Sequence, residues 1–285
     1  MLASDQHAKG LHHDKTAMPK TVLITGASSG FGKDTALLFK EKGWNVAATM
    51  RSPEKAETWT CAAGLFTPRL DVTNRVSMQT AVDETVAKFG GIDVLINNAG
   101  FALMGPLEGA SPEDVRREID TNLMGLIEMI QIVLPLMRKA ASGVIVNVSS
   151  LGGRLTIPLF SIYHATKFAV EGLTETLQYE LQGHGIRVKL IEPGGTKTNF
   201  GGSSLVQTSH PAYKALEDGF NKSWEKTSAN LPGPEKVAQT IYRAATDGSA
   251  RLRYPVFAFP VLNLRNLIGA CGWSAIMKTM VRRMR

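Results

Sequence analysis

Short apolar runs rich in β-branched residues alternate with longer amphipathic stretches along most of this chain, and that rhythm leaves few folds open. The runs fall at 21–25, 46–49, 92–96, 144–148, 186–191 and 253–257, with 65–70 a weaker seventh interrupted by Pro68. Helical patterns lie between them at about 30–42, 74–89, 111–139, 160–182 and 234–246. Strands that are apolar at nearly every position need burial on both faces, which repeated βαβ units around a parallel sheet provide. Helix starts are marked by Ser111-Pro112-Glu113-Asp114, which offers a cap, a proline and acids, and by Gly233-Pro234-Glu235. The expectation is one α/β domain, doubly wound, with about seven parallel strands.

The first strand runs straight into Thr25-Gly26-Ala27-Ser28-Ser29-Gly30-Phe31-Gly32, and a helix follows. Glycines at such a junction let backbone N–H groups and a helix N-terminus approach a pyrophosphate, so the turn points to a Rossmann-type dinucleotide site. The end of the second strand bears on which dinucleotide. NAD sites usually place a carboxylate there for the ribose 2′-hydroxyl. This chain has Ala48-Thr49-Met50-Arg51-Ser52, and the fork of Arg51 suits a 2′-phosphate. NADP is expected, with NAD the alternative. Lys33 is expected in solvent, with a phosphate contact as the alternative.

Charge excludes one class of partner. The chain carries 32 Lys+Arg against 25 Asp+Glu, a net +7, and the whole excess lies in 248–285, where there is no acid. A nucleic-acid-binding face would spread its cations, so none is expected. Cys61 and Cys271 stand far apart and outside any paired motif, which fits a reduced, cytoplasmic setting. Residues 1–18 have no apolar core and read as a disordered leader, despite His7, His12 and His13. No metal site is expected, and no run of 18 uncharged apolar residues suggests a membrane span.

Tyr163 and Lys167 fall four apart at the start of a helical pattern, on one face. A nearby ammonium stabilises a phenolate and is expected to lower the tyrosine from about 10 toward working pH. Ser150 ends a strand, and Asn122 sits in mid-helix, where asparagine is unfavourable without a task. His164 is expected on the helix surface, pointing away from its neighbour Tyr163, because adjacent helical side chains diverge.

Taken in order, TGASSGFG at 25–32, Asp71-Val72, Asn97-Asn98-Ala99-Gly100, Asn122, Ser150, Tyr163 with Lys167, and Pro193-Gly194 resemble the short-chain dehydrogenases/reductases, in their simple, non-extended branch. The thirteen-residue interval from Ser150 to Tyr163 is the family's usual one and selects Ser150 over Ser149; Thr166 departs from the family's commoner serine. The resemblance implies a catalytic set of Asn122, Ser150, Tyr163 and Lys167. Tyr163 would be general acid or base at the substrate oxygen, and Ser150 would hydrogen-bond that oxygen. Lys167 would bind the nicotinamide ribose, and Asn122 would hold a relay water. The cofactor set it implies comprises Gly26, Ser28, Ser29, Gly30, Phe31, Gly32 and Arg51, together with Tyr163 and Lys167 of the catalytic set. Asp71 and Val72 would lie at the adenine, Asn98, Ala99 and Gly100 at the strand ending near 96, and Pro193, Gly194, Thr196 and Thr198 at the nicotinamide.

Around that centre the sequence is apolar, at Phe101, Leu103, Met104, Leu151, Leu155, Ile157, Phe160 and Phe200, which favours an apolar ketone or secondary alcohol over a sugar. The Gly-, Ser- and Thr-rich segment within 196–232 is read as a substrate loop, with Gly201-Gly202 as its hinge. The bounds expected are a leader over 1–18, the Rossmann domain over 19–260 and a basic helical tail over 261–285. That tail either packs on the subunit or makes peripheral membrane contact. By resemblance alone, the helices at 111–139 and 160–182 pair subunits into a homodimer or homotetramer. A catalytically silent nucleotide-binding regulator on the same fold is the remaining alternative.

Overall fold

A computed structural model describes residues 19–197 and 204–284. The leader, Thr198, Phe200 and the Gly201-Gly202 hinge lie outside the described residues.

Strand β1 (Thr21–Ile24) is buried at all four positions and leads through the glycine turn into α1 (Gly30–Glu41). After β2 (Asn45–Ala48) come a short helix α2 (Glu57–Ala62) and α3 (Arg75–Phe89). The side chain of Asn74 caps α3 by accepting Ser77 N–H at 3.0 Å, a bond of the kind that contributes about 1 kcal/mol. Strands β3 (Val94–Asn97) and β4 (Ala102–Met104) precede α4 (Pro112–Ile119), whose N-terminus Ser111 caps as its sequence implies. The helix expected over 111–139 is interrupted: Asp120–Met124 forms a π-helical turn before α5 (Gly125–Ala140). Together they make a 29-residue helical run, long and apolar enough by composition to cross a membrane; its buried side chains, among them Met129, Val133 and Met137, belong to the core.

Then follow β5 (Gly143–Val148), α6 (Ser161–Glu180), β6 (Ile186–Pro193), β7 (Leu205–Gln207), α7 (Lys214–Ser228), α8 (Glu235–Thr246), β8 (Arg253–Val256) and α9 (Phe259–Met284). Six strands form one parallel sheet in the order β2-β1-β3-β5-β6-β8. The weak run at 65–70 contributes only two bridges at the β2 edge, from Phe66 and Arg69. Pro68 lies between them and has no N–H to continue a ladder.

Side chains alternate across the sheet. Leu23, Leu95 and Ile145 pack with α3, α5 and α6, whereas Val22, Ile24, Val94 and Val146 pack with α1 and α8. Strand order reverses between β1 and β3, so a crevice opens at their carboxyl ends, where open α/β sheets bind ligands. A second pairing was not foreseen: β4 and β7 make a two-stranded parallel ribbon that ties the segment after β3 to the segment expected as a substrate loop.

The basic tail is helix α9, and it docks. Leu262 and Trp273 are buried against Leu155 and Ala258, and Trp273 Nε1 donates to Thr156 O at 2.8 Å. Gly269 breaks the helix with a left-handed φ of 66°, a conformation open to glycine at little cost. Farther on, Met284 reaches α7, where a Cβ on Gly219 would stand 2.6 Å from it. Both cysteines are exposed and unbridged. Helix α6 leaves Phe168 and Tyr179 exposed, on an element that the resemblance pairs between subunits.

Candidate active site

The glycine turn is locked to the end of β3. Asn98 Nδ2 donates to Thr25 O at 3.0 Å and Gly26 O at 2.9 Å, and Thr25 Oγ1 accepts the N–H groups of Asn98 and Ala99. Gly26 has φ +67°, and a Cβ there would sit 2.8 Å from Ala99 Cα. A Cβ on Gly32 would meet Asn98 Nδ2 at 2.6 Å. These two glycines are therefore required first by packing of turn on turn. Gly30, at φ +54°, opens α1 and lines a cavity of about 760 Å³ with Ser28 and Ser29.

Four cations line the same cavity: Lys33, Arg51, Lys55 and Lys197, against one acid, Asp34. None of the four has a salt bridge among the described residues; Lys33 stands over the Trp59 ring at 5.0 Å. Lys33, expected in solvent, is thus a wall of the cavity. Arg51 lines it with no side-chain hydrogen bond or salt bridge among the described residues, while its carbonyl accepts from Arg69. Asp71 Oδ1 accepts both the N–H and the hydroxyl of Thr73, and Val72 is buried against Gly125. Gly194 N donates to Val256 O at 2.8 Å, and Thr196 Oγ1 donates to Gly194 O at 3.0 Å just beyond Pro193 at the end of β6.

Ser150, Tyr163, Lys167 and Asn122 converge beside this turn. Ser150 Oγ accepts Gly152 N–H at 3.0 Å and makes a hydrogen bond with the Tyr163 hydroxyl. Lys167 is buried, its ammonium donates to Val148 O at 2.9 Å and stands 5.7 Å from the centre of the Tyr163 ring. Asn122 Oδ1 accepts Phe101 N–H at 3.0 Å, and Nδ2 donates to Phe101 O at 2.8 Å and to Thr166 Oγ1 at 3.3 Å. The π-helical turn is what presents this asparagine, as such turns often do at functional positions. Thr166, which also donates to Tyr163 O at 2.8 Å, joins Asn122 to α6. A Cβ on Gly100 would meet Asn122 Oδ1 at 3.0 Å.

The electrostatics depart from the expectation. Burial pushes the Tyr163 phenol up to about 12; the Ser150 hydrogen bond opposes this and Glu118 adds to it. Burial also pulls the Lys167 ammonium down to about 8, while the Glu118 and Glu171 carboxylates hold it up. Left to the protein's own groups, Tyr163 keeps its proton throughout the neutral range.

His164 is not on the helix surface. It is buried, with Nδ1 2.8 Å from Gly152 O and Nε2 accepting Ile157 N–H at 3.0 Å. That pairing needs the neutral ring with its proton on Nδ1, and burial lowers the imidazole accordingly. His164 thereby braces the 151–160 loop between Ser150 and Tyr163. The loop carries its own strain at Leu159, a non-glycine residue at φ +69°.

Of the apolar candidates, Leu103, Met104, Leu155 and Phe160 are buried, while Phe101, Leu151 and Ile157 keep part of their surface. Phe160 contacts Tyr163 at 6.1 Å between ring centres and Phe220 at 6.0 Å, and Phe220 stacks on Trp224 at 6.2 Å. This aromatic line leads from the phenol into α7, and Met284 and Leu205 pack along it.

The sequence model described as short chain dehydrogenase matches residues 20–207. Among curated proteins, a 3-ketodihydrosphingosine reductase of Bacteroides thetaiotaomicron is 39% identical over 226 residues, 78% of this chain and 82% of that protein. Retinol dehydrogenase 8 of Homo sapiens is 40% identical over 207 residues, 68% of this chain and 64% of that protein. Among solved structures, a closed form of serine dehydrogenase complexed with NADP+ superposes with a TM-score of 0.70 at 31% identity, covering 83% of this chain and 93% of the other. A Burkholderia phymatum enzyme in complex with NAD gives 0.77 at 26% identity, covering 88% and 94%.

Proposed function

The chain belongs to the short-chain dehydrogenase family, and from that premise we propose that it is an NADP(H)-dependent oxidoreductase of apolar ketones and secondary alcohols. The observation that carries this reading is the placement of Tyr163, hydrogen-bonded to Ser150 and one helical turn from Lys167, beside a glycine turn whose shape Asn98 enforces. Glycines where a Cβ would clash and a cavity lined by four cations fit a dinucleotide with an added phosphate. Ser28, Ser29 and Gly30 would hold its pyrophosphate side, and Arg51 with Lys33, Lys55 and Lys197 the 2′-phosphate. NADP(H) supplies or accepts the hydride.

The chain's own residues handle the proton and the orientation. Tyr163 delivers its proton to the substrate oxygen, Ser150 positions that oxygen, and Lys167 holds positive charge beside the phenol. A phenol that stays protonated at neutral pH suits carbonyl reduction. The apolar line of Phe160, Phe220 and Trp224 supports a lipophilic substrate, as do two relatives named for 3-ketodihydrosphingosine and for retinol. Purified protein given NADPH or NADH with a panel of lipophilic ketones and sugars should consume NADPH fastest with the ketones. Binding of NADPH without turnover of any panel member would favour the silent regulator instead.

A second role rests on the outer face of α9. Val261, Leu264 and Leu267 are exposed at helical spacing, Leu267 at 84%, and the chain from 248 onward is acid-free. Such a face suits the surface of anionic lipid. Leu264→Asn with Leu267→Asn should cut co-flotation with anionic phospholipid vesicles several-fold; equal flotation of variant and parent would remove the idea.

A further inference from the structure

A carboxylate enclosed by protein is costly unless something nearby requires its charge. Glu118, on α4, is 0% exposed. Its Oε1 accepts Leu103 N–H at 3.1 Å and lies 3.5 Å from Asn122 Nδ2, while Oε2 has no hydrogen-bond partner among the described residues. Helix α4 packs on β4, α6 and the turn at 120–124. From α6 the titratable groups facing Glu118 are Lys167 and Tyr163; β4 offers the Leu103 backbone and the turn offers the Asn122 amide. On its own stretch of helix, Arg116, Arg117 and Asp120 are exposed.

Tying α4 to β4 needs only an acceptor, and an amide oxygen would do that as well. A charge costs more, and here its field reaches both the ammonium and the phenol of the candidate proton path. We propose that Glu118 is a positioning residue for proton transfer: its carboxylate, anchored on Leu103, orients the Asn122 amide, faces Lys167 as counter-charge, and sets the pH at which Tyr163 releases its proton. The inference rests on the reading of Tyr163 given above. An ionised Glu118 raises both Tyr163 and Lys167. Burial lifts Glu118 itself to about 7, with the Leu103 N–H and Lys167 pulling it back. Removing its charge therefore lets the phenol ionise more readily.

Glu118→Gln keeps an oxygen for Leu103 and deletes the charge. In NADP+-dependent alcohol oxidation, the limb of kcat that rises with pH should move down by about half a unit or more, roughly three-fold in rate on the limb. Glu118→Asp, which keeps the charge, should return the limb toward the parent position. A Glu118→Gln limb superimposable on the parent overturns the proposal.

If the parent turns over no alcohol or ketone, the functional reading fails separately, and thermal stability then judges Glu118. A carboxyl raised on folding binds more protons in the folded chain between its ordinary 4.5 and about 7. Stability contributed by the parent's Glu118 therefore falls as pH rises through that window, and Glu118→Gln lacks the fall. Placing both chains in a Lys167→Met background should shift the fall to higher pH. An identical Glu118→Gln effect with and without Lys167 overturns the counter-charge.

Discussion

Tyr163→Phe lowers turnover by roughly a thousand-fold, the middle of the range for loss of a positioned general acid, with NADPH affinity nearly unchanged. The substitution removes one hydroxyl and keeps the ring that packs on Phe160. The cation-lined cavity is bounded by other residues, from Ser28 to Pro234. Single-turnover rates and NADPH fluorescence titration of parent and variant separate the two effects. Residual turnover within ten-fold of the parent would remove Tyr163 from its role. A matching loss of cofactor affinity would mean the phenol mainly shapes the cavity.

Arg51→Asp exchanges the preference between the two dinucleotides. A charge-assisted bond to phosphate contributes about 1.5–3 kcal/mol, or roughly ten- to a hundred-fold in affinity. The new carboxylate adds repulsion toward a 2′-phosphate and offers NADH a partner for its 2′-hydroxyl. Lys33, Lys55 and Lys197 still line the cavity, so NADPH binding should weaken and persist at high concentration. The ratio of kcat/KM for NADPH over NADH should fall by about two decades. An unchanged ratio would place the phosphate on the three lysines and leave Arg51 a surface residue.

Much of this site was legible in the residues because its parts are local. A glycine turn after a strand, a Tyr–Lys pair four apart and a serine at a strand end each announce themselves within a few positions. Asn122 was legible as an anomaly, and the π-helical turn is the physical form the anomaly takes. What escaped depends on contacts between distant segments. His164 was misjudged because divergence from Tyr163 says nothing about the 151–160 loop folding back onto the imidazole. Glu118 carried a faint signal, four residues before Asn122 on the same helical repeat, but an acid on an amphipathic helix reads as solvated until β4 closes over it. The β4–β7 ribbon joins three-residue strands about a hundred positions apart, too short for any pattern to show. Phe220, Trp224 and Met284 enter the apolar wall only once α7 and α9 have docked.

The bond from Trp273 to Thr156 bears on how the protein should be handled at the bench. Helix α9 grips the loop between Ser150 and Tyr163, and its end rests on α7 beside the apolar wall. A bulky group attached beyond α9 would therefore bear on the loop between Ser150 and Tyr163 and on α7. Activity measured with and without such a group would report how firmly α9 sets the position of that loop.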